Sequence, residues 1–180
     1  MKKLAIFGHP DWASSQVSAA WFKYFEQQGD ITLHKLINAQ SNWCFDVAAE
    51  QQLLANHDRI ILIFPIRWYG EPSLVKKWCE DIILDGFAYG SRHALKGKEL
   101  LIAASCGGVA EIYRTQGRNC YPLDIFLAHW QAISHLCGLT YYPAYALYGV
   151  YHKTTTDYEE AGTKLLQQFN SDKPTAINSL

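Results

Sequence analysis

The sequence lacks an excess of either charge. Its 16 lysines and arginines balance 17 aspartates and glutamates, for a formal net charge of -1. This balance gives no reason to expect a nucleic acid or an anionic membrane as partner, and it argues against a strongly acidic electron carrier.

Long apolar runs are missing too. No run approaches the roughly 20 residues of a membrane-spanning helix, and the apolar stretch before Gly8 is too short for a signal-peptide core. At 180 residues the chain is long enough to bury a full core. We therefore expect a cytoplasmic protein with one domain over residues 1–170 and a polar tail over residues 171–180.

Several motifs are absent as well. The five cysteines form no C-x-x-C pair, and their odd number leaves one unpaired, which indicates reduced thiols. No cluster of His, Cys or acidic residues has the spacing of metal ligands, so we predict no metal site. The G-x-G-x-x-G, P-loop lysine and G-x-S-x-G patterns are missing.

What the chain does contain is a regular alternation of strand-like and helix-like segments. This pattern predicts an α/β fold, a doubly wound five-stranded parallel sheet with helices on both faces. Residues 41–45 are predicted to form a loop. The predicted strands cover residues 4–7, 31–36, 59–64, 99–105 and 139–147, and the predicted helices cover residues 17–28, 46–55, 123–136 and 158–169, with a further helix beginning at Pro72.

The most informative segment is FPIRWYGEPSLVKKW, residues 64–78. Residues 59–64 show no polar alternation, which is typical of a central strand buried on both faces, and Pro65 ends its ladder. Ligands of doubly wound sheets bind beyond such strand ends, so Ile66, Arg67, Trp68 and Tyr69 fall where a flat heteroaromatic cofactor would lie. The alternative is that both aromatic rings pack in the core under the following helix.

Two other loops follow predicted strands and could share that site. Ser14, Ser15 and Gln16 precede a helix whose free N–H groups attract an anion, and a single phosphate would fit there. The alternative is that Ser14 or Ser15 merely caps the helix. His9, at the end of the first strand, either contacts the same ligand or satisfies its own turn.

The third loop begins after Ser105. Gly107 and Gly108 allow close approach of a ligand and can direct N–H groups at its carbonyl oxygens. Tyr113 either donates a proton or hydrogen bond at the site or is a packed lid residue. Residues 85–90 form an aromatic loop that either closes over a flat ligand, packs on a partner subunit, or is a turn with buried rings.

With these residues in place, the chain resembles the flavodoxin-like NAD(P)H:quinone oxidoreductases, particularly the short bacterial forms and the ancillary flavoproteins of glutathione-gated potassium efflux systems. The resemblance covers nearly the whole length. It is carried by Pro65-x-x-Trp68-Tyr69-Gly70-x-Pro72 with Lys76 and Trp78, by Gly8-His9-Pro10, by Asp85-Gly86-Phe87-Ala88-Tyr89-Gly90, and by Gly107-Gly108 followed by Tyr113-x-x-Gln116-Gly117.

The resemblance implies a flavodoxin-like fold, a homodimer, and noncovalently bound FMN rather than FAD. It also implies two-electron ping-pong hydride transfer from NAD(P)H to a quinone or a similar electrophile. The implied residues are His9, Ser14, Gln16 and Val17 at the phosphate, Pro65, Ile66, Trp68 and Tyr69 at the ring, Gly107, Gly108 and Tyr113 as catalytic groups at the pyrimidine side, and Phe87 and Tyr89 in the substrate pocket of the other subunit. Arg67 and Ser105 are further cofactor-binding residues, and Arg67 could instead attract the phosphate of a nicotinamide nucleotide.

Two alternatives and two departures accompany this resemblance. One alternative is a regulatory flavoprotein bound to a membrane potassium-efflux transporter, and therefore located at the inner membrane face. The other is a flavodoxin-type electron carrier with a stable one-electron form. Arg67 stands where many relatives carry Gln, and Asn119 stands where larger quinone reductases have a histidine, so a Tyr-His proton relay is not expected.

Overall fold

A computed structural model describes residues 1–172, and its centre is a parallel β-sheet with helices on both faces. The strands are β1 Lys3–Phe7, β2 Ile31–Lys35, β3 Gln40–Ser41, β4 Cys44–Phe45, β5 Arg59–Pro65, β6 Glu99–Ser105, β7 Thr140–Tyr141 and β8 Tyr145–Leu147. The helices are α1 Val17–Glu26, α2 Leu36–Ala39, α3 Val47–Ala55, α4 Ser73–Ile82, α5 Leu123–Phe126, α6 Ala128–Cys137 and α7 Thr155–Asn170.

The strand order of the main sheet is β2-β1-β5-β6, with β7 and β8 both paired to β6. All of these pairs are parallel, so the predicted doubly wound α/β sheet is confirmed. Phe7 pairs with Ile63 and Pro65 pairs with Ser105. The carboxyl ends of β1, β5 and β6 therefore meet at one edge of the sheet, and the three loops of interest start there.

The core has two layers, one on each face of the sheet. Ile60, Leu62 and Phe64 of β5 belong to the layer formed with α3, α4 and α6, whereas Ile61 and Ile63 belong to the layer formed with α1 and α7. Because successive side chains of a strand point to opposite faces, both sets are buried, which explains the unbroken apolar run.

The structure corrects three of the predicted elements. Residues 40–45 form a small antiparallel hairpin of β3 and β4 rather than a loop. The predicted helix over residues 123–136 is two helices, α5 and α6, because the backbone of the buried Leu127 leaves the helical region (φ -103°, ψ 2°). The predicted last strand is divided into β7 and β8 by Pro143, which has no N–H to donate to a ladder.

The last helix begins earlier than predicted. Thr154 caps α7 by accepting from the Asp157 N–H, and the Asp157 side chain accepts from the Thr154 N–H in return. At its other end α7 reaches Asn170, the residue before the predicted polar tail. Residues 173–180 of that tail lie outside the described residues, and the domain boundary at residue 170 stays a prediction.

Candidate functional site

The carboxyl ends of β1, β5 and β6 open onto a cavity of about 510 Å³. Ligand pockets of doubly wound folds occur at this edge, and their volumes are of this order. Many of the predicted cofactor-binding residues line the cavity, namely His9, Ser14, Gln16, Val17, Pro65, Ile66, Arg67, Ser105 and Gly107. The predicted residues Trp68, Tyr69, Gly108 and Tyr113 do not line it.

One wall of the cavity is the N-terminus of α1. Gln16 is the N-cap residue, and no side chain caps the helix there. The Ser14 hydroxyl donates instead to the Asp11 carbonyl oxygen at 3.2 Å, so the capping alternative is wrong. Since the first N–H of α1 that bonds within the helix is that of Ala20, the preceding N–H groups and the helix dipole are available to an anion.

His9 presents a hydrogen-bond donor to the same cavity. Its Nδ1 accepts the Asp11 backbone N–H at 3.2 Å, which places the proton of the neutral ring on Nε2. Burial, and then the positive charge of Arg67, lower the pKa of His9 below its ordinary value. The imidazole is therefore neutral at physiological pH and donates through Nε2.

The Trp68-Tyr69 turn projects from the end of β5. Arg67 and Gly70 exchange both backbone hydrogen bonds, at 2.9 and 3.2 Å. Trp68 (φ 49°) and Tyr69 (φ 68°) both have left-handed backbones, which cost energy for residues that are not glycine. Trp68 is 96% exposed, so the interpretation that it packs in the core is wrong. The Tyr69 ring packs against Phe126, with 5.1 Å between the ring centroids.

The segment after this turn is anchored to α6. His129 Nε2 lies 2.8 Å from a carboxylate oxygen of Glu71, whose side chain is largely buried. Pro72 then precedes α4 as its N-cap residue rather than lying in its first turn. The strained turn thus lies between Pro65, the last residue of β5, and Glu71, whose carboxylate is paired with His129.

Glycines make the third loop fit closely against its neighbours. A Cβ added to Gly107 would lie 2.5 Å from the ring of Tyr151, and one added to Gly108 would lie 2.3 Å from the side chain of Ile112. Glycine, which has no side chain, allows the close contact of residue 107 with Tyr151 and that of residue 108 with Ile112. Gly107 lines the cavity, but the neighbour that approaches it closely is the ring of Tyr151, so the close approach of a ligand there stays a prediction, whereas Gly108 packs within its own loop.

Tyr113 lies in an aromatic cluster made of Tyr69, Tyr113, Tyr121, Phe126 and Tyr148. Its ring centroid is 5.3 Å from that of Tyr148 and 6.2 Å from that of Phe126. Burial, followed by the charge and hydrogen bond of Cys106, raises the pKa of Tyr113. Burial likewise raises the pKa of Cys106 to about 12. Both groups stay protonated at neutral pH, so Tyr113 keeps its hydroxyl proton, which lies beside Cys106.

The aromatic loop over residues 85–90 does not reach the cavity of its own chain. Phe87 is 6% exposed and lies in the core layer with α4, and Tyr89 packs partly buried against the same layer. The alternative of a turn with buried rings describes this chain. A contribution of Phe87 or Tyr89 to the pocket of a second subunit stays a prediction.

Sequence analysis missed four residues that line the cavity. They are Ser18, Val150, Tyr151 and Tyr158. The Tyr158 hydroxyl lies 2.9 Å from the Val150 carbonyl oxygen and 3.3 Å from Oε1 of Gln16, so it joins the loop after β8 to α1. The rule that sites form beyond parallel strands could have identified Val150 and Tyr151, since they follow the last strand.

Two other properties bear on the predicted class of protein. Residues 1–172 include no group of three or more His, Cys, Asp and Glu side chains arranged to hold a metal ion. In the same part of the chain, every helix is too short or too polar to cross a membrane.

A family model described as a flavodoxin-like fold matches residues 1–169. The chain belongs to this flavodoxin-like family. The family thus accounts for nearly all of the described residues, as the resemblance indicated.

Several members of the flavodoxin-like family are similar in sequence. General stress protein 14 of Bacillus subtilis (strain 168) is 38% identical over 168 residues, 93% of this chain and 96% of that protein. The uncharacterized NAD(P)H oxidoreductase YrkL of the same strain is 34% identical over 173 residues, 96% and 99% of the two chains. The glutathione-regulated potassium-efflux system ancillary protein KefG of Yersinia pestis (strain Pestoides F) is 30% identical over 139 residues, which are 77% of this chain and 76% of that protein.

Solved structures show the same flavodoxin-like fold. General stress protein 14 from Treponema denticola in complex with FMN has a TM-score of 0.89 at 30% identity, covering 94% of this chain and 98% of its own. An NADPH-quinone reductase from P. pentosaceus has a TM-score of 0.85 at 28% identity, covering 96% of this chain and 99% of its own. A protein named as a thermophilic tryptophan halogenase has a TM-score of 0.89 at 34% identity, covering 94% of this chain and 99% of its own. These names differ while the fold is shared.

Proposed function

We propose that this protein is an FMN-dependent NAD(P)H:quinone oxidoreductase. The observation that carries the proposal is the single cavity formed by the three loops, with an uncapped helix N-terminus in one wall and the end of β5 in another. The FMN-bound and NADPH-quinone reductase neighbours, and a relative named NAD(P)H oxidoreductase, support it.

The residues present fit a flavin mononucleotide. The free N–H groups of α1 and the Nε2–H of neutral His9 would hold the phosphate end. The backbone at Pro65, Ile66 and Gly107 would face the ring. The exposed Trp68 would cover part of the ring from outside the cavity.

When bound, FMN accepts a hydride from NAD(P)H and passes it to an acceptor. The residues of the chain would position the flavin and stabilise the charge that develops during the transfer. Backbone N–H groups of the Gly107-Gly108 segment would stabilise negative charge that develops on the reduced ring. Tyr113, which stays protonated, would donate a hydrogen bond to the oxygen of the acceptor while it is reduced.

The aromatic cluster is the part of the surface best suited to a flat acceptor. Tyr69 follows the strained turn, and its ring lies 5.1 Å from Phe126, which in turn contacts Tyr113 and Tyr121. Aromatic faces attract planar rings through offset stacking or edge-to-face contact. A quinone would therefore bind beside Tyr113 rather than beside the buried Phe87 of the same chain.

The test is the visible absorption spectrum of the FMN-reconstituted protein, recorded without oxygen before and after NADPH and again after menadione. We expect NADPH to bleach the flavin band and menadione to restore it. Free FMN at the same concentration is the control for direct reduction in solution. A protein that binds no flavin, or one whose flavin is reduced by neither NADPH nor NADH, contradicts the proposal.

The similarity to KefG favours a second candidate function, a regulatory flavoprotein on a potassium-efflux transporter. Two results would support it: co-purification with such a transporter, and potassium efflux that depends on this protein when turnover has been abolished. The predicted homodimer is tested by sedimentation equilibrium. A flavodoxin-type carrier would instead show a stable one-electron form and little direct oxidation of NAD(P)H.

A further inference from the structure

Arg67 is one of the two residues at which the chain departs from the pattern of the resembled family. It lines the cavity together with His9, Ser14, Gln16 and Val17. Among the lining residues it is also the one with a full charge, since the pKa of His9 is lowered and its ring is neutral. Within residues 1–172 no carboxylate forms an ion pair with Arg67.

The charge of Arg67 acts on the interior of the cavity. His9 is buried, and Arg67 is the second cause that lowers its pKa, after burial itself. The positive charge of Arg67 therefore acts on His9, which lines the same cavity as Gln16 and Val17 at the start of α1. A helix N-terminus alone supplies only about half an elementary positive charge, whereas a phosphate monoester carries nearly two negative charges.

From this arrangement we infer that Arg67 is a specificity-determining residue that pairs with the phosphate of the flavin and makes the cavity select FMN over riboflavin. The inference rests on the proposed function, because it takes a flavin as the ligand. An arginine suits this role because its guanidinium presents several donors in a plane that matches phosphate oxygens. A glutamine at this position would retain hydrogen bonding but no charge.

The test measures binding to flavin-free protein rather than turnover. Dissociation constants for FMN and for riboflavin are obtained from quenching of flavin fluorescence, for the wild type, Arg67→Gln and Arg67→Lys. Arg92→Gln is the matched control, because Arg92 is an exposed arginine that does not line the cavity. Each titration is repeated at low and high salt, since screening weakens the pairing of exposed charges.

We expect Arg67→Gln to weaken FMN binding by about three- to tenfold, the range for an exposed or partly exposed charged pair, and to change riboflavin binding by less than about twofold. The salt dependence of FMN binding should decrease in this variant. Arg67→Lys should retain most of the selectivity because it retains the charge. Arg92→Gln should match the wild type with both flavins.

Three results would overturn the inference. Equal weakening of FMN and riboflavin would show that Arg67 acts on the flavin ring. Unchanged FMN binding with a raised KM for NADPH, but not for NADH, would assign Arg67 to the phosphate of the donor. If the wild type binds neither flavin, the proposed function fails and the inference fails with it, whereas selective loss of FMN binding supports both.

Discussion

At the scale of single residues, the Trp68-Tyr69 turn combines strain with exposure. Two consecutive left-handed residues are typical of a type I′ turn, where Asn and Gly are preferred and Trp is not. The exposed Trp68 gains almost no packing in return. Because this strained turn directly follows the strand end at the cavity, its strain agrees with a place beside a cofactor ring.

Replacing Trp68 with Asn should therefore stabilise the flavin-free protein and weaken its cofactor binding. We expect the free energy of unfolding to rise by about 0.5–1 kcal/mol, because Asn tolerates the left-handed region. FMN affinity should fall by about tenfold through the loss of ring contact. Urea unfolding and fluorescence titration measure the two effects.

The chain offers a matched control in the hairpin of β3 and β4. Asn42 and Trp43 are also left-handed, and Trp43 is 53% exposed and does not line the cavity. Trp43→Gly should raise stability by a similar amount and leave FMN affinity unchanged. If Trp68→Asn binds FMN as tightly as the wild type, the turn has no role in the site.

Tyr113 is tested by removing its hydroxyl. Tyr113→Phe should slow the reoxidation of the protein by menadione by at least about tenfold, because a hydrogen-bond donor to the acceptor is lost. The affinity for FMN should stay within about twofold, since Tyr113 does not line the cavity. Stopped-flow kinetics of the reductive and oxidative half-reactions separate these effects. Unchanged reoxidation would remove Tyr113 from the mechanism.

His9 makes stability depend on pH. Its pKa in the folded state is lower than the ordinary value of 6.5, so the unfolded chain binds more protons than the folded chain as the pH falls below 6.5. The contribution of His9 to the free energy of unfolding is fully present above pH 6.5, and it is lost as the pH falls toward the pKa of His9 in the folded state. We expect unfolding free energies of the flavin-free protein to decrease between pH 6.5 and 5, and to decrease less in His9→Gln. Parallel curves for the two proteins would contradict this account.

At the scale of elements, Arg59 fixes the end of α7 to the sheet. Its side chain is buried, it bonds Glu99, and it donates to the carbonyl oxygens of Phe169 and Ser171, both at 2.7 Å. These two carbonyls belong to the orphan acceptors at the end of a helix. One side chain at the start of β5 thus closes the layer that contains α1 and α7.

Removing this side chain should be costly. Arg59→Met should lower the free energy of unfolding by about 3–5 kcal/mol, because two carbonyl oxygens lose their donor and the Glu99 carboxylate keeps only the Tyr142 hydroxyl as a partner. Lys76→Met is the control, since Lys76 pairs with Glu80 on the exposed surface at 3.4 Å and such pairs contribute about 0–1 kcal/mol. Similar losses in the two variants, measured by urea unfolding, would show that the Arg59 network adds nothing specific.

At the scale of the whole molecule, the cavity couples ligand binding to folding. It is lined by residues of α1, β5, the loop after β6, the loop after β8 and α7, so a ligand there contacts both halves of the chain. A ligand that binds only the folded state at 100 times its Kd adds about 2.7 kcal/mol. For a domain of this size that corresponds to a rise in Tm of roughly 5–10 °C.

Thermal unfolding with and without FMN tests this prediction. We expect the rise in Tm to grow with the logarithm of the FMN concentration above Kd. Adenosine monophosphate is the control, because it carries a phosphate but no flavin ring. No rise with FMN, or an equal rise with both compounds, would contradict an FMN-specific cavity.

The predictability of the site differed from loop to loop. The unbroken apolar run of β5 and the proline at its end indicated the place of the central strand, and the rule for strand ends then placed Ile66 and Arg67 at the cavity. His9, Gln16 and Ser105 followed in the same way. Tyr158 could not be found by this rule, because it lies in a helix more than 140 residues from Gln16 in the chain, a separation that the sequence pattern does not bridge.

The sequence by itself determined the class of fold, the order of its main strands and helices, and the loops that face a ligand, because hydrophobic periodicity and chain breakers are local properties. Tertiary structure alone decided that Trp68 is exposed in a strained turn, that His9 is a neutral donor and that Phe87 is buried. It also decided that Arg67 lines the same cavity as His9 and the first residues of α1. These properties depend on what lies across space from each residue, and distant segments of the chain supply those neighbours.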